Sequence, residues 1–378
     1  MRSVVISGTG VFTPEQTITN AELVEAFNAY VDRENQKYAA EIEAGSREPL
    51  AYSSEEFIFK ASGIERRHVM DKSGVLDPDI MHPKLRQRDD GELGIMAEMA
   101  VAAAKEAMEK AGKKATDIDA VICAASNHER AYPAIAIEVQ NALEIDGFGF
   151  DMNVACSSAT FGIQAAADMI RSGSANCIIM VNPEICSGHL EWRDRDCHFI
   201  FGDVCTAVVL EEKSQATSEM QFEVLATKCL TQFSNNIRNN NGFLRRTRSS
   251  GVQDQRDMQF MQNGRQVFKQ VVPIVSDMVV SHCEEVGIDP TGLDRLWLHQ
   301  ANKSMNDFIG RKILGRVPTP KEQPNILQEY ANTSSAGSII SFSQHSADMQ
   351  AGEIGVICSF GAGYSVGNVI VQRLQSAH

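Results

Sequence analysis

Four short stretches hold the side chains whose types and spacing could do chemistry. In "NVACSSATFG" an apolar run leads to Cys156, and a small-residue run with helical character follows. A helix start offers unpaired backbone N–H groups and the positive end of a dipole, and both favour a thiolate. An isolated cysteine is more often a small buried core residue. The strand–cysteine–helix junction raises the nucleophile reading for Cys156. In "LWLHQANKS" His299 closes an apolar strand, Arg295–Leu298, and a helix begins a few residues later. A lone histidine is usually a structural hydrogen-bonder, but strand ends are where α/β sites gather. In "ANTSSAGSIISF" Asn332 and the small residues after it read as a tight turn into a closely packed helix. Its amide is an uncharged donor able to hold a carbonyl oxygen. The last stretch, "FGAGYSVG", is a glycine-rich turn between two strands. It is either a plain hairpin turn or a backbone donor site that a ligand can approach. No helix follows it and no Gly-Lys-Ser or Gly-Lys-Thr occurs, so it is not a nucleotide-binding loop.

Alternating helices and apolar strands position these residues. Residues 3–12 read as a first strand, and a helix starts at Thr19 or Asn20 with Leu23, Phe27 and Val31 at helical spacing. From residue 32 to 90 the chain is charged and weakly patterned, with two excursions at 32–56 and 71–91 that read as surface loops, small helical flaps or lids. "GELGIMAEMAVAAAKEAMEKAGKK" predicts a helix ending near Gly112. Strands follow in "TDIDAVICAAS", "NCIIMVN" and "TAVVLEE", with a helix in "AIAIEVQNAL". The polar stretch 211–220 is the candidate boundary; beyond it lie a strand in "FEVLATKCL" and a long helix over about 258–286. The whole pattern is α/β.

Composition narrows the function classes. The chain has 378 residues, 43% hydrophobic and 22% charged, which is ordinary for a globular protein. Its formal charge of -14 disfavours nucleic acid as a general partner. No run of about 18 apolar residues occurs, so no membrane insertion is expected. The start lacks a signal-peptide core. Nine scattered cysteines without a CxxC pair support neither a zinc ribbon nor a redox pair, and a reducing cytoplasmic setting is expected. Cys123 and Cys177 lie in apolar runs and read as buried thiols.

Taken in order, "NVACSSATFG", "HQAN", "NTSSAGS" and "FGAGYSVG" resemble the β-ketoacyl-acyl carrier protein synthase III family of the thiolase superfamily. "SGIERRHV", "IFGDVCTAVVL" and "MQNGRQVFK" add to the likeness, which spans nearly the whole chain outside the two excursions. "YPAIAIEVQNAL", "MNVACSSATFGIQAA" and "VNPEICSGHL" look like the β-ketodecanoyl subgroup, which uses a medium-chain acyl-CoA primer. The resemblance implies a five-layered αβαβα fold of two similar halves, 1–212 and 218–378, in a homodimer. It implies that Cys156 takes the acyl group from acyl-CoA as a thioester, and that malonyl-acyl carrier protein then loses CO2 to form the attacking enolate. His299 and Asn332 match the residues that hydrogen-bond the malonyl thioester oxygen. The backbone N–H groups of Cys156 and Ala362 would hold the acyl carbonyl oxygen. No metal or other cofactor is implied. Lys303, Arg311 and Lys312 are candidates for docking the acidic carrier protein, with Arg245, Arg246 and Arg248 as a second basic patch.

The sequence departs from the family in places. The tryptophan expected near the CoA adenine is absent, and Phe57 is the candidate replacement. The usual "FGGGFTWG" is "FGAGYSVG" here, and the two excursions lengthen the chain, which bears on the primer more than on the chemistry. An acetyl-CoA-primed synthase is the nearest alternative. A thiolase would use a second cysteine, for which Cys358 is one residue out of place, and a hydroxymethylglutaryl-CoA synthase or head-to-head condensing enzyme would need a carboxylate such as Glu129. A non-catalytic acyl-binding protein would have no need of Cys156, His299 and Asn332 together.

Overall fold

Strands buried on both faces lose the polar–apolar alternation of half-exposed ones. That is why "VVISGTGVF", "AVICA" and "DVCTAVVLEE" are nearly unbroken apolar runs. The computed structural model describes residues 2–239 and 255–375. In chain order its first half holds β1 (Val4–Phe12), β2 (Gln16–Thr19), α1 (Asn20–Lys37), α2 (Ala39–Glu43), α3 (Glu55–Ser62), β3 (Arg66–Val69), α4 (Ile95–Ala111), β4 (Ala120–Ala124), α5 (Ile135–Ala142), β5 (Phe148–Met152), α6 (Ser158–Ser172), β6 (Cys177–Ile185) and β7 (Asp203–Glu212). The second half holds β8 (Phe222–Thr231), β9 (Ile237–Arg238), β10 (Met261–Gln262), α7 (Gly264–Glu285), β11 (Arg295–Leu298), α8 (Lys303–Leu314), α9 (Leu327–Tyr330), α10 (Gly337–Gln344), β12 (Ile354–Gly361) and β13 (Ser365–Arg373).

The strand pairing repeats. In the first half the order is β1-β7-β6-β4-β5, and in the second β8-β13-β12-β11. Within each, one parallel pair (β4 with β6, β11 with β12) is followed by two antiparallel pairings. The halves meet where β1 pairs briefly with β8, at Val5 with Glu223 and Ile6 with Phe222.

Helix packing gives five layers. α6 and α10 lie between the halves, so their apolar residues share one core with β1, β4, β6, β8, β11, β12 and β13. α4 and α5 cover the outer face of the first sheet, and α7 and α8 that of the second. Small residues permit the closest approaches. A Cβ on Gly8 or Gly10 of β1 would fall 2.2 Å from the Ala107 carbonyl or 1.9 Å from that of Ala103.

Several expected boundaries hold. Thr19 forms a capping box with Glu22, and Gly112 ends α4 with φ +66°. The long helix starts later than the expected residue 258, at Gly264, because the Asn263 side chain caps it by accepting the Gln266 N–H. The first early excursion carries a small surface helix, α2, and the second is anchored to the core. α1 runs on to Lys37, and Val75 and Met81 of the second excursion are buried against Trp192 and its neighbours.

Candidate active site

Three separate elements deliver the chemistry-bearing side chains. Cys156 stands two residues ahead of α6, after Ala155, whose φ is +49°. His299 follows β11 directly; its N–H donates to the Cys358 carbonyl at 2.8 Å, and Asn306 Nδ2 of α8 donates to its carbonyl at 3.0 Å. Asn332 follows Ala331, whose φ is +57°. The Asn332 backbone is clamped to the segment entering β7: its N–H donates to the Ile200 carbonyl at 3.0 Å, and its carbonyl accepts from Gly202 at 3.1 Å. Cys156, His299 and Asn332 line one cavity of about 450 Å³, with Phe201, Met305 and Phe360 among its apolar walls. Such a mostly apolar cavity with a few convergent polar groups is the usual form of a small-molecule site.

One residue that the sequence did not single out touches all three. Ser334 is buried, with φ +51°. Its hydroxyl lies 3.3 Å from Cys156 Sγ. Its N–H donates to Asn332 Oδ1 at 2.9 Å, which leaves the amide nitrogen as the free donor of Asn332. Its carbonyl lies beside the His299 ring.

Burial outweighs the backbone N–H effect expected from the sequence at Cys156. It pushes the Cys156 thiol up to about 11, and the charge on Glu184 adds to the rise. The Ser334 hydroxyl and the backbone N–H groups of Cys156 and Ala362 pull the other way without overcoming it. The free site therefore holds a neutral thiol at pH 7 rather than a thiolate. Burial also lowers His299 to about 4, so the imidazole is neutral and able to accept or donate a proton. The N–H groups of Cys156 and Ala362 approach the sulfur, where an attacked carbonyl would develop negative charge. Gly361 is required here, because a Cβ at that position would stand 2.7 Å from Cys156 Cβ.

The remaining candidates fall in different places. Phe57 does not line the cavity; it packs edge-to-face on Phe199 with Arg195 stacked 3.8 Å over its ring, while Ala61 and Ser62 of the same helix reach the cavity wall. Lys303 is tied to Asp307 at 2.7 Å, whereas Arg311 and Lys312 are exposed and have no ion pair among the described residues. Arg245, Arg246 and Arg248 lie outside the described residues. The excursions 32–56 and 71–91 contribute no residue to the lining of this cavity. Cys358 is buried in the outer core of the second half, and Glu129 caps α4 by accepting the N–H groups of Ile95 and Met96 at 3.2 and 3.1 Å. Neither is placed to serve the rival chemistries from within this chain. Cys123, His128 and Asp151 come within 4.8 Å of one another away from the cavity, but both Asp151 oxygens already cap α5.

Known proteins share this arrangement of elements. The family described as 3-oxoacyl-[acyl-carrier-protein] synthase III matches residues 150–231, and its C-terminal part matches residues 283–373. A β-ketodecanoyl-[acyl-carrier-protein] synthase of Pseudomonas aeruginosa is 56% identical over 350 residues, covering 93% of this chain and all of that protein. A β-ketoacyl-[acyl-carrier-protein] synthase III of Bradyrhizobium diazoefficiens is 27% identical over 98% of this chain and 99% of its own. The 3-oxoacyl-[acyl-carrier-protein] synthase III of Aquifex aeolicus has the same fold, with a TM-score of 0.75 at 22% identity over 98% of this chain and 99% of that one. The priming β-ketosynthase of the R1128 polyketide pathway superimposes with a TM-score of 0.77 at 21% identity, covering 99% and 97%. The chain belongs to the β-ketoacyl-acyl carrier protein synthase III family of condensing enzymes.

Proposed function

We propose that this chain condenses a medium-chain acyl-CoA, near octanoyl, with malonyl-acyl carrier protein, giving a 3-oxoacyl-acyl carrier protein, CoA and CO2. The observation that carries this reading is the meeting of Cys156, His299 and Asn332 at one apolar cavity. Cys156 Sγ attacks the acyl-CoA carbonyl, the C–S bond to CoA breaks, and the thiol proton passes by way of the neutral imidazole to the departing CoA sulfur. The N–H groups of Cys156 and Ala362 hold the oxygen of that tetrahedral state. Malonyl-acyl carrier protein then enters. Its carboxylate C–C bond breaks to release CO2, and the electron pair moves into an enolate whose oxygen is held by His299 and the Asn332 amide nitrogen. The enolate carbon attacks the Cys156 thioester, breakage of the C–S bond frees the product and the thiolate, and a proton taken up from water restores the thiol.

Binding follows the same logic. Arg311 and Lys312 on α8 sit beyond His299 and, without an ion pair among the described residues, offer positive charge to an acidic carrier protein. The Phe57–Arg195 pair beside the cavity wall offers a flat stacking surface for the CoA adenine. The chain assembles as a homodimer through the open edge of β5, where Phe148, Ile137 and Tyr132 are 43%, 48% and 83% exposed. The junction of the halves lies at 213–217, between β7 and β8. A cytoplasmic location suits nine free cysteines, and no helix among the described residues is long and apolar enough to cross a membrane.

The test is mass spectrometry of the intact protein after incubation with acyl-CoAs of graded length, followed by addition of malonyl-acyl carrier protein. A single adduct on Cys156, strongest near octanoyl and discharged by the second substrate, is the expected result. Best labelling by acetyl-CoA would move the primer to the short-chain alternative. A stable adduct that malonyl-acyl carrier protein cannot discharge would favour an acyl-binding role.

A further inference from the structure

Glu184, near the end of β6, is fully buried and has no basic partner among the described residues. An uncompensated carboxylate is costly to bury, so its surroundings must supply donors. They come from two directions. Oε1 accepts the N–H groups of Ser126 at 2.9 Å and Ser335 at 3.3 Å, together with the Ser335 hydroxyl. Oε2 accepts the Ser126 hydroxyl at 2.5 Å.

Each serine leads to a different part of the site. Ser335 follows Ser334, and so holds the turn in which Ala331 and Ser334 both adopt left-handed backbone. Non-glycine residues keep such conformations only where the surroundings enforce them. That turn places Ser334 against Cys156 and sets the Asn332 amide. On the other side, the Ser126 carbonyl accepts from Asn153 Nδ2 at 2.8 Å, and Asn153 Oδ1 accepts the N–H of Ala155, the residue before Cys156, at 2.9 Å. One carboxylate thus joins the segment carrying the nucleophile to the turn carrying the amide donor, across residues 153 to 335.

We propose that Glu184 is a positioning residue that sets the spacing between Cys156 and the Asn332–Ser334 turn. It touches no reacting atom, and the proposal rests on the condensing function argued above. Loosening this clamp should slow the chemical steps, since both acylation and condensation depend on that spacing, while acyl-CoA binding at the cavity walls is left alone.

The experiment compares E184A, E184Q and S335A with the wild-type enzyme in kcat, acyl-CoA KM, thermal melting and crystal structure. E184A should lose about 100-fold in kcat with acyl-CoA KM within about threefold, as expected for misplaced catalytic groups. E184Q keeps the length and one acceptor oxygen, and should recover to within about tenfold of wild type. The crystal structure of E184A should show Ser334 Oγ withdrawn from Cys156 Sγ. A folded E184A with kcat within about twofold of wild type and the 3.3 Å contact intact overturns the proposal. So does a loss that merely follows the fraction of folded protein. If E184A does not fold, S335A decides: it removes the hydroxyl bond to the turn, leaving only the Ser335 N–H on Oε1, and should still lower kcat about tenfold at unchanged KM, and wild-type kcat would overturn the clamp. A wild-type enzyme that forms no product would instead refute the condensing function, and the Ser334–Cys156 separation in the variants would still test the clamp.

Discussion

The two halves of the molecule present matching helix starts to the same cavity, and they have been put to opposite uses. Ahead of α6 the chain reads "ACSSA", and ahead of α10 it reads "ANTSSA". Each functional residue follows an alanine held in left-handed backbone, Ala155 at φ +49° before Cys156 and Ala331 at φ +57° before Asn332. Each is followed by small residues packed in the shared middle layer. In the proposed reaction the first half fills this position with a thiol that becomes covalently bonded, and the second fills it with an amide that only donates. His299, at the end of β11, has its counterpart at the end of β4, where the chain carries Ala125 and Ser126 and no ionisable group. Repeated topology makes the two positions available; the side chain placed there divides nucleophile from electrostatic support.

The sharpest way to break this comparison is to remove one side chain from each start. C156A should abolish the acyl adduct and overall turnover, read by mass spectrometry and product formation. N332A should still load acyl groups but lower condensation by about 10²–10³, the usual effect of losing one donor to a developing oxyanion. Equal loss of loading in both variants would erase the division of labour. Next in size is Gly361→Ala, which puts a Cβ 2.7 Å from Cys156 Cβ and should slow loading by about tenfold or more by displacing the nucleophile, with N332-dependent decarboxylation less affected. Charge reversal at Arg311 and Lys312 acts on only one half-reaction: KM for malonyl-acyl carrier protein should rise about fivefold while acyl-CoA loading is unchanged. The smallest effect concerns the thiol proton. The Ser334 hydroxyl favours the ionised sulfur, so S334A should move the pH midpoint for iodoacetamide labelling of Cys156 above about 11 and slow labelling at pH 8 by about threefold. A midpoint shifted downward would show that the hydroxyl does not stabilise the thiolate.

Much of the site was legible because its signals are local. A cysteine between strand and helix, a histidine closing a strand, an asparagine opening a turn of small residues and a glycine hairpin each occupy a few consecutive letters. The α/β pattern was legible for the same reason, and so were Thr19 and Gly112 as helix ends. Ser334 and Glu184 were not. Ser334 matters through atoms 178 positions away, and Glu184 through Ser335, 151 positions away. The backbone N–H groups favour the Cys156 thiolate as expected, but the burial that outweighs them was not legible, because it is assembled from several distant elements. Phe57 was matched to the CoA adenine by likeness alone, and only the structure shows it packed against Phe199 and Arg195.

By itself, then, the sequence determined which residues are the candidates for the chemistry and which periodic segments present them, since both depend on neighbours within a turn or a strand. Tertiary structure alone decided that the thiol and imidazole rest uncharged, that Ser334 joins three functional groups, and that a buried carboxylate ties the two sides of the site together. Desolvation and hydrogen-bond pairing depend on every atom that packs around a group, and those atoms come from strands and helices far apart in the chain.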